Sequence, residues 1–209
     1  MREDELGSFD PLDYRNIAKT VVRELLAGEL VPLGTLEPFD GAGIYALYYT
    51  GPFEAYAPIS APEPSVPIYV GKAIPPGSRT GSDEFDPEVG RALYSRLGEH
   101  RRTIEVAENL ELSDFMCRFL TVKHLWVPLS ERILIQTIRP VWNVVVDGFG
   151  DHDPGSGRRN MRRPKWDVVH PGRHWAHKLE PEHEPDDVLR EVAQHFARLR
   201  ETGISPFSR

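Results

Sequence analysis

The stretches GAGIYALYYT, at residues 41–50, and VPIYVGK, at residues 66–72, decide the predicted fold. Both are rich in β-branched and aromatic residues and both contain glycine, which indicates strands. The segment between them, residues 51–65, holds four prolines and shows no periodicity, so we predict a surface loop there. The two strands are expected to pair as a hairpin, with Pro67 at a strand start or on an edge.

Further elements are predicted outside this hairpin. Helices are indicated by apolar residues at helical spacing or by proline in a first turn, and a strand by alternation. In chain order they are a helix over 10–30, a helix from Asp86 to about residue 108, a strand over 115–123, a helix from Pro128 to before Pro140 and a helix over 186–201. We therefore predict one α/β domain, residues 1–209, with additions at both ends.

The composition excludes several classes of protein. Apolar residues make up 40% of the chain and charged residues 27%, as in ordinary globular proteins. No run of about 18 apolar residues is present, which predicts that nothing spans a membrane, and the acidic N-terminus lacks the apolar region of a signal peptide. Cys117 is the only cysteine, so no intramolecular disulfide is possible. We expect an inert thiol on a strand and a protein of the reducing cytoplasm.

The charge is distributed unevenly along the chain. The net charge of −7 argues weakly against a nucleic-acid partner, but residues 154–178 carry seven basic residues and one acid, Asp167. Local positive charge, rather than the global balance, is what phosphate groups contact. A solvated loop and a DNA-contacting segment are equally consistent with this stretch.

Two tyrosines and a pair of basic residues are the first candidates for chemistry. Tyr45 and Tyr69 lie on the adjacent predicted strands, each close to a glycine that allows close backbone approach. Arg96 and His100 are four residues apart on a predicted helix and share one face. An arginine there can stabilise a phosphate, and a histidine can transfer a proton near neutral pH. The alternatives are core packing for the tyrosines and a solvated helix face for the basic pair.

Two further polar residues follow. Glu131 lies in the first turn of a predicted helix, where a carboxylate either stabilises the helix N-terminus or helps to bind Mg²⁺. Asn143, after Pro140, either bonds the backbone of a turn or supports a site. A metal site in HPGRHWAHK is also possible, but no cysteine or acid completes a zinc pattern there, which favours surface positions for its histidines, His170, His174 and His177.

Taken together and in this order, these residues resemble the GIY-YIG nucleases. The resemblance covers about residues 41–145, the expected catalytic core, and leaves residues 1–40 as an N-terminal arm and helix and 146–209 as a basic DNA-contacting loop and C-terminal helix. It implies an α+β fold, with a small antiparallel three-stranded sheet flanked by helices. It also implies hydrolysis of a DNA phosphodiester with one divalent ion. The matching positions are Gly43-Ile44-Tyr45, Tyr69-Val70-Gly71-Lys72, Arg96, His100, Glu131 and Asn143.

The spacing of the two tripeptides departs from the usual family pattern. They are usually roughly ten residues apart, whereas 23 residues lie between Tyr45 and Tyr69. A proline-rich insertion at the hairpin tip can absorb the added length. The insertion, the histidine four positions after Arg96 and the chain length resemble the type II restriction endonucleases of this family. The phrases GAGIYALYYTG and RPVWN resemble the members that cut the palindrome CCGCGG.

The resemblance implies a role for each matching residue. Tyr45 would act on the attacking water as general base with help from His100, and neighbouring cations are expected to lower the pKa of its hydroxyl. Tyr69 would orient the phosphate or the water. The remaining implied roles are charge neutralisation by Lys72 and Arg96, coordination of Mg²⁺ (or Mn²⁺ as a substitute) by Glu131, and hydrogen-bonded support by Asn143.

Partners follow from the same resemblance. A palindromic DNA site predicts a homodimer, and a restriction enzyme predicts a cognate DNA methyltransferase in the same system. Two other classes stay open: a non-catalytic DNA-binding protein on a nuclease fold, and a repair or mobile-element endonuclease. The residues expected to contact double-stranded DNA are Arg158, Arg159, Arg162, Arg163 and Lys165.

Overall fold

The computed structural model describes residues 14–75, 90–153 and 161–201. Its centre is an antiparallel sheet with the strand order β1-β4-β2-β3. The α+β class and the three predicted strands are confirmed, but the sheet has a fourth strand that was not predicted. The strands are β1 Val31–Pro32, β2 Gly43–Tyr49, β3 Tyr69–Ala73 and β4 Phe115–Thr121.

Six α-helices occur in the described part of the chain: α1 Tyr14–Ala27, α2 Ala92–Glu105, α3 Val127–Ile138, α4 Val141–Val144, α5 Lys165–Val169 and α6 Pro185–Glu201. Helix α2 begins later than predicted, because Gly90 has a φ of 53° and, with Arg91, forms a turn ahead of the helix. The predicted start at Asp86 lies outside the described residues. None of the described helices is long and apolar enough to cross a membrane.

Strand β2 is buried along its whole length, because helices cover both faces of the sheet. Successive side chains of a strand point to opposite faces. Tyr45 and Leu47 pack on the side of α2, α5 and α6, whereas Ile44 and Tyr48 pack on the side of α1 and α3. Strand β2 therefore directs Tyr45 toward α2, the helix that carries Arg96 and His100.

The insertion between β2 and β3 is anchored to the core. Tyr56, in its short 3₁₀ turn, is fully buried, and its hydroxyl accepts a hydrogen bond of 2.8 Å from Trp142 Nε1. The same hydroxyl is 2.6 Å from Nε2 of His170. The prediction of a loop here is confirmed, but this part of the loop is buried between Trp142, in α4, and His170, at the end of α5.

Cys117 is buried in β4, opposite Val31 of β1 and Leu47 of β2. Burial disfavours the charged thiolate and raises the pKa of the thiol to about 12. Because the thiolate is the reactive form, Cys117 is inert, as expected.

Candidate active site

The two Gly/Tyr tripeptides form one hairpin, in which Tyr45 lies opposite Gly71 and Leu47 opposite Tyr69. The Tyr45 ring lies across Gly71, and a Cβ at that position would be 2.5 Å from the Tyr45 Cζ. Glycine is therefore required at position 71 to leave room for the tyrosine ring. The hairpin places the two predicted tyrosines on the same face, with ring centroids 6.2 Å apart.

His100 is brought to Tyr45 by helix α2. The Tyr45 hydroxyl and His100 Nε2 share a hydrogen bond of 2.5 Å, and both residues are almost fully buried. The Tyr69 ring meets the His100 ring edge-on at 5.3 Å. The other face of the imidazole stacks on Phe149, with centroids 4.5 Å apart and planes 13° apart. His100 is thus fixed in orientation on both sides.

The electrostatics of this pair differ from the expectation. Burial raises the pKa of Tyr45 well above its usual value of 10, and the nearby charge of Arg96 offsets only part of that increase. Arg96 lowers this pKa, as expected of a neighbouring cation, but removal from water has the larger effect and the pKa is raised on balance. Burial, followed by the charge of Arg96, lowers the pKa of His100 well below 6.5. At neutral pH the protein alone therefore holds a neutral tyrosine against a neutral histidine.

Arg96 lies beside the pair and is held by three groups. Its Nη1 donates to Glu99 Oε2 at 2.7 Å and is 2.9 Å from His152 Nε2. Its Nη2 donates to the carbonyl of Gly150 at 2.9 Å. A Cβ on Gly150 would lie 2.8 Å from that Nη2 and 3.0 Å from the Tyr69 hydroxyl, so a larger residue there would displace the Arg96 guanidinium.

These partners of Arg96 and His100 were missed from the sequence. Glu99 had a usable signal, because it is three residues from Arg96 on the same helix. Phe149, Gly150 and His152 lie in a segment with neither helix nor strand. Nothing in their spacing relates them to α2, so only the tertiary structure identifies them.

Lys72 and Glu131 form an ion pair, with 2.6 Å between Nζ and Oε2. The Glu131 side chain is 20% exposed, so solvent reaches it. Its negative charge adds to the raised pKa values of Tyr45 and Tyr69, for which burial is the main cause. No cluster of three or more histidine, cysteine or acidic residues suited to a metal occurs among the described residues.

Asn143 bonds to strand β3 rather than to another candidate side chain. Its Oδ1 accepts from the Val70 N–H at 2.8 Å, and its Nδ2 donates to the Val70 carbonyl at 2.9 Å. Val70 lies between Tyr69 and Gly71, so this amide holds the middle of the second tripeptide.

The predicted DNA contacts have different surroundings. Arg163 donates to the carbonyls of Ala176, Leu179 and His177, and Lys165 pairs with Glu191 at 2.5 Å. Arg162 is exposed. Arg158 and Arg159 lie outside the described residues.

The three histidines of the C-terminal addition do not form a cluster. His174 and His177 are exposed, as expected, whereas His170 is fully buried. The Nδ1 of His170 is 2.9 Å from Asn109 Oδ1, and burial lowers the pKa of its ring to about 3. His170 is a structural residue that was wrongly expected at the surface.

The chain matches a model of a known protein family. The family model is described as the Eco29kI GIY-YIG domain and matches residues 37–196, which include the Tyr45–His100 pair, Arg96 and Glu131. No curated protein sequence matches. The match extends beyond the predicted 41–145 core into the C-terminal addition and covers well over half of the chain. The chain therefore belongs to the Eco29kI-type GIY-YIG family of nucleases, which act on DNA.

Proposed function

We propose that this protein is a type II restriction endonuclease that hydrolyses both strands of double-stranded DNA at a short palindromic site. The observation that carries this proposal is the buried 2.5 Å hydrogen bond between Tyr45 and His100, with the Arg96 guanidinium beside it. A base, a proton acceptor behind it and a cation for the phosphate are the groups that phosphodiester hydrolysis requires.

The proton transfer follows from the two neutral side chains. The Tyr45 oxygen takes a proton from the attacking water while the Tyr45 hydroxyl proton passes to Nε2 of His100, which becomes an imidazolium. The water oxygen bonds to phosphorus, the P–O bond on the opposite side breaks, and the leaving oxygen takes a proton from solvent. Because the tyrosine never has to exist as a phenolate, its raised pKa does not prevent this step.

The cations act on the phosphate. Arg96 neutralises charge that develops on the phosphoryl oxygens. Lys72, which is half-exposed at the same hairpin, does the same. Tyr69, whose ring borders His100, orients the phosphate or the water. Asn143 supports the site indirectly, through Val70.

The Glu131 carboxylate fits a single Mg²⁺, for which Mn²⁺ can substitute. Magnesium prefers oxygen ligands and is bound through one or two carboxylates, with waters and substrate phosphate completing its shell. One solvent-accessible carboxylate without a larger acidic cluster in the described residues matches that arrangement. The ion, when bound, polarises the phosphate and stabilises the leaving oxygen.

Recognition of DNA is assigned to the basic stretch of the C-terminal addition. Arg162 is exposed and Arg158 and Arg159 precede it in the chain, so these three are the stronger candidates for base reading. Arg163 and Lys165 already bond within the protein, and their contacts with DNA would require those bonds to be shared or exchanged. We propose CCGCGG as the site, a homodimer as the active form and a cognate methyltransferase as the partner enzyme.

Incubation of the purified protein with a long mixed-sequence DNA and Mg²⁺ tests this proposal. Discrete fragments are expected, and sequencing their ends identifies the site. Intact DNA would indicate a binding module, and nicks only at damaged positions would indicate repair. Glu131→Gln should abolish cleavage and leave DNA binding largely intact, whereas cleavage at the wild-type rate would contradict the metal assignment.

A further inference from the structure

The segment Gly148–His152 supplies much of the wall of the active site. It provides the Phe149 ring that stacks on His100, the Gly150 carbonyl that accepts from Arg96, and the His152 imidazole beside the same guanidinium. The segment forms no helix or strand, so no ladder of backbone hydrogen bonds fixes these three contacts.

Arg173, from the C-terminal addition, binds the backbone of this segment. Its Nη1 donates to the carbonyls of Asp151 at 2.9 Å and Phe149 at 3.4 Å. Its Nη2 donates to the carbonyl of Gly148 at 2.8 Å. One guanidinium thus holds three of the four carbonyls from residue 148 to residue 151.

The orientation of Arg173 is fixed in turn. Asp167 accepts from its Nε at 2.6 Å and from its Nη2, which forms a buried ion pair. The guanidinium packs against the rings of Trp166 and Trp175, at 4.8 Å and 4.6 Å from their centroids. Two bonds to Asp167 and three to backbone carbonyls use the five N–H donors that a guanidinium has.

A lysine cannot replace this arrangement. It carries three donors on a single nitrogen and lacks the planar fork that bonds a carboxylate and several carbonyls together. A buried ion pair also contributes little to stability relative to well-packed apolar residues. The five bonds hold the fold together here, and three of them end on the backbone that carries Phe149 and Gly150, so the same guanidinium also positions these two residues.

We propose that Arg173 is a positioning residue for catalysis, which acts through the backbone of residues 148–151 to hold Phe149 against His100 and Gly150 against Arg96. The C-terminal addition would then be part of the active site, in addition to any role in DNA binding. This inference rests on the proposed nuclease function.

Arg173→Lys is the direct test, in single-turnover cleavage by the full chain with Mg²⁺, well below its Tm; kcat here denotes the single-turnover rate constant at saturating enzyme. We expect kcat to fall about 10- to 100-fold while the Kd for cognate DNA and its salt dependence stay unchanged, since small misplacements of catalytic groups have effects of that size. A parallel loss of binding would make Arg173 a DNA contact and overturn the proposal.

Arg118→Lys is the matched control. Arg118 also donates to a backbone carbonyl, that of Gly28 at 2.9 Å, and lies 4.8 Å from the Tyr48 ring, but on the opposite side of the sheet. Its variant should cleave at the wild-type rate. If Arg173→Lys fails to fold, Asp167→Asn is measured in the same cleavage assay. This variant weakens the bonds that orient the Arg173 guanidinium, and the same fall in kcat is expected.

A double-mutant cycle with Phe149 tests whether Arg173 affects kcat through the backbone of residues 148–151. If Arg173 acts through this segment, Arg173→Lys and Phe149→Leu should be strongly non-additive, and the double variant should be about as slow as the slower single variant. Independent effects that multiply would overturn the proposed route.

A second readout does not depend on cleavage. NMR titration without DNA or metal should give a higher pKa for His100 in Arg173→Lys than in the wild-type protein, because a displaced Phe149 admits water to the imidazole. The groups that face His100, and whose substitution would also affect it, are Tyr45, Tyr69, Arg96, His152 and Arg173. An unchanged titration would overturn the inference even if kcat fell. Absence of cleavage by wild-type protein would contradict the proposed function instead.

Discussion

The ring of Tyr45 lies across the α-carbon of Gly71, its partner in the pairing of β2 with β3. We expect Gly71→Ala to lower kcat by about 100-fold, since an added methyl displaces the Tyr45 hydroxyl from His100. Gel-shift affinity for DNA should be retained. Gly98→Ala is the control, because a Cβ there meets only the Arg102 guanidinium, at 3.7 Å. That variant should cleave normally and gain about 0.5–1 kcal/mol of stability from the removal of a helical glycine.

The Lys72–Glu131 ion pair predicts competition between the ammonium group and the metal. Lys72→Met should tighten Mn²⁺ binding by the DNA-free protein several-fold, because the competing cation is removed, while cleavage slows. Glu131→Gln should lose the same binding. Electron paramagnetic resonance of free Mn²⁺ measures the Mn²⁺ affinity of both variants. Glu24→Gln is the control, because Glu24 is an exposed residue of α1. Equal Mn²⁺ affinity in all four proteins would place the ion elsewhere.

The lowered pKa of His100 predicts an unusual pH profile. The proposed mechanism needs the neutral imidazole, and its folded pKa lies well below 6.5. Activity should therefore persist as the pH falls through 6.5 and disappear only at lower pH, as His100 takes up a proton. On the alkaline side the raised pKa of Tyr45 keeps its hydroxyl protonated. Single-turnover rates at saturating Mg²⁺ measure this, and an acidic limb centred near 6.5 would contradict it.

His170 predicts how stability changes with pH. Its folded pKa of about 3 lies below the unfolded value near 6.5, so the unfolded chain binds an extra proton between these values. The free energy of unfolding should fall as the pH drops through this window, by about 1.4 kcal/mol per pH unit for this proton. His170→Asn should reduce that slope in urea titrations. The same slope in the variant would assign the effect to other groups.

The basic stretch gives a prediction about specificity. Replacing Arg158 and Arg159 with alanine should weaken binding to the cognate site more than to random DNA, because arginine reads guanine in the major groove. Affinities for cognate and random DNA across a salt series distinguish base reading from phosphate contact. A smaller salt slope with unchanged base preference would make these residues phosphate contacts.

The sequence was sufficient for the hairpin and for the convergence of its residues. Local composition defines β2, β3 and β4, and the order of Tyr45, Arg96 and Glu131 along the chain, on β2, α2 and α3, indicates one site. Strand β1 could not be predicted, since it has two residues, one of them Pro32, and exists only through its pairing with β4. The elevated pKa of Tyr45 was also missed, because burial depends on packing from Phe149 and α2 rather than on neighbours in the chain.

The reciprocal bonds between Asn143 and Val70 have a consequence for assembly. Strand β3 borders the sheet, and such strands offer unpaired N–H and carbonyl groups to other chains. The Asn143 amide takes both groups of Val70, and the Trp142 N–H takes the Ile68 carbonyl at 3.0 Å. This margin of the sheet is therefore closed to strand addition at Val70. The proposed homodimer is therefore not expected to extend the sheet past Val70 of β3.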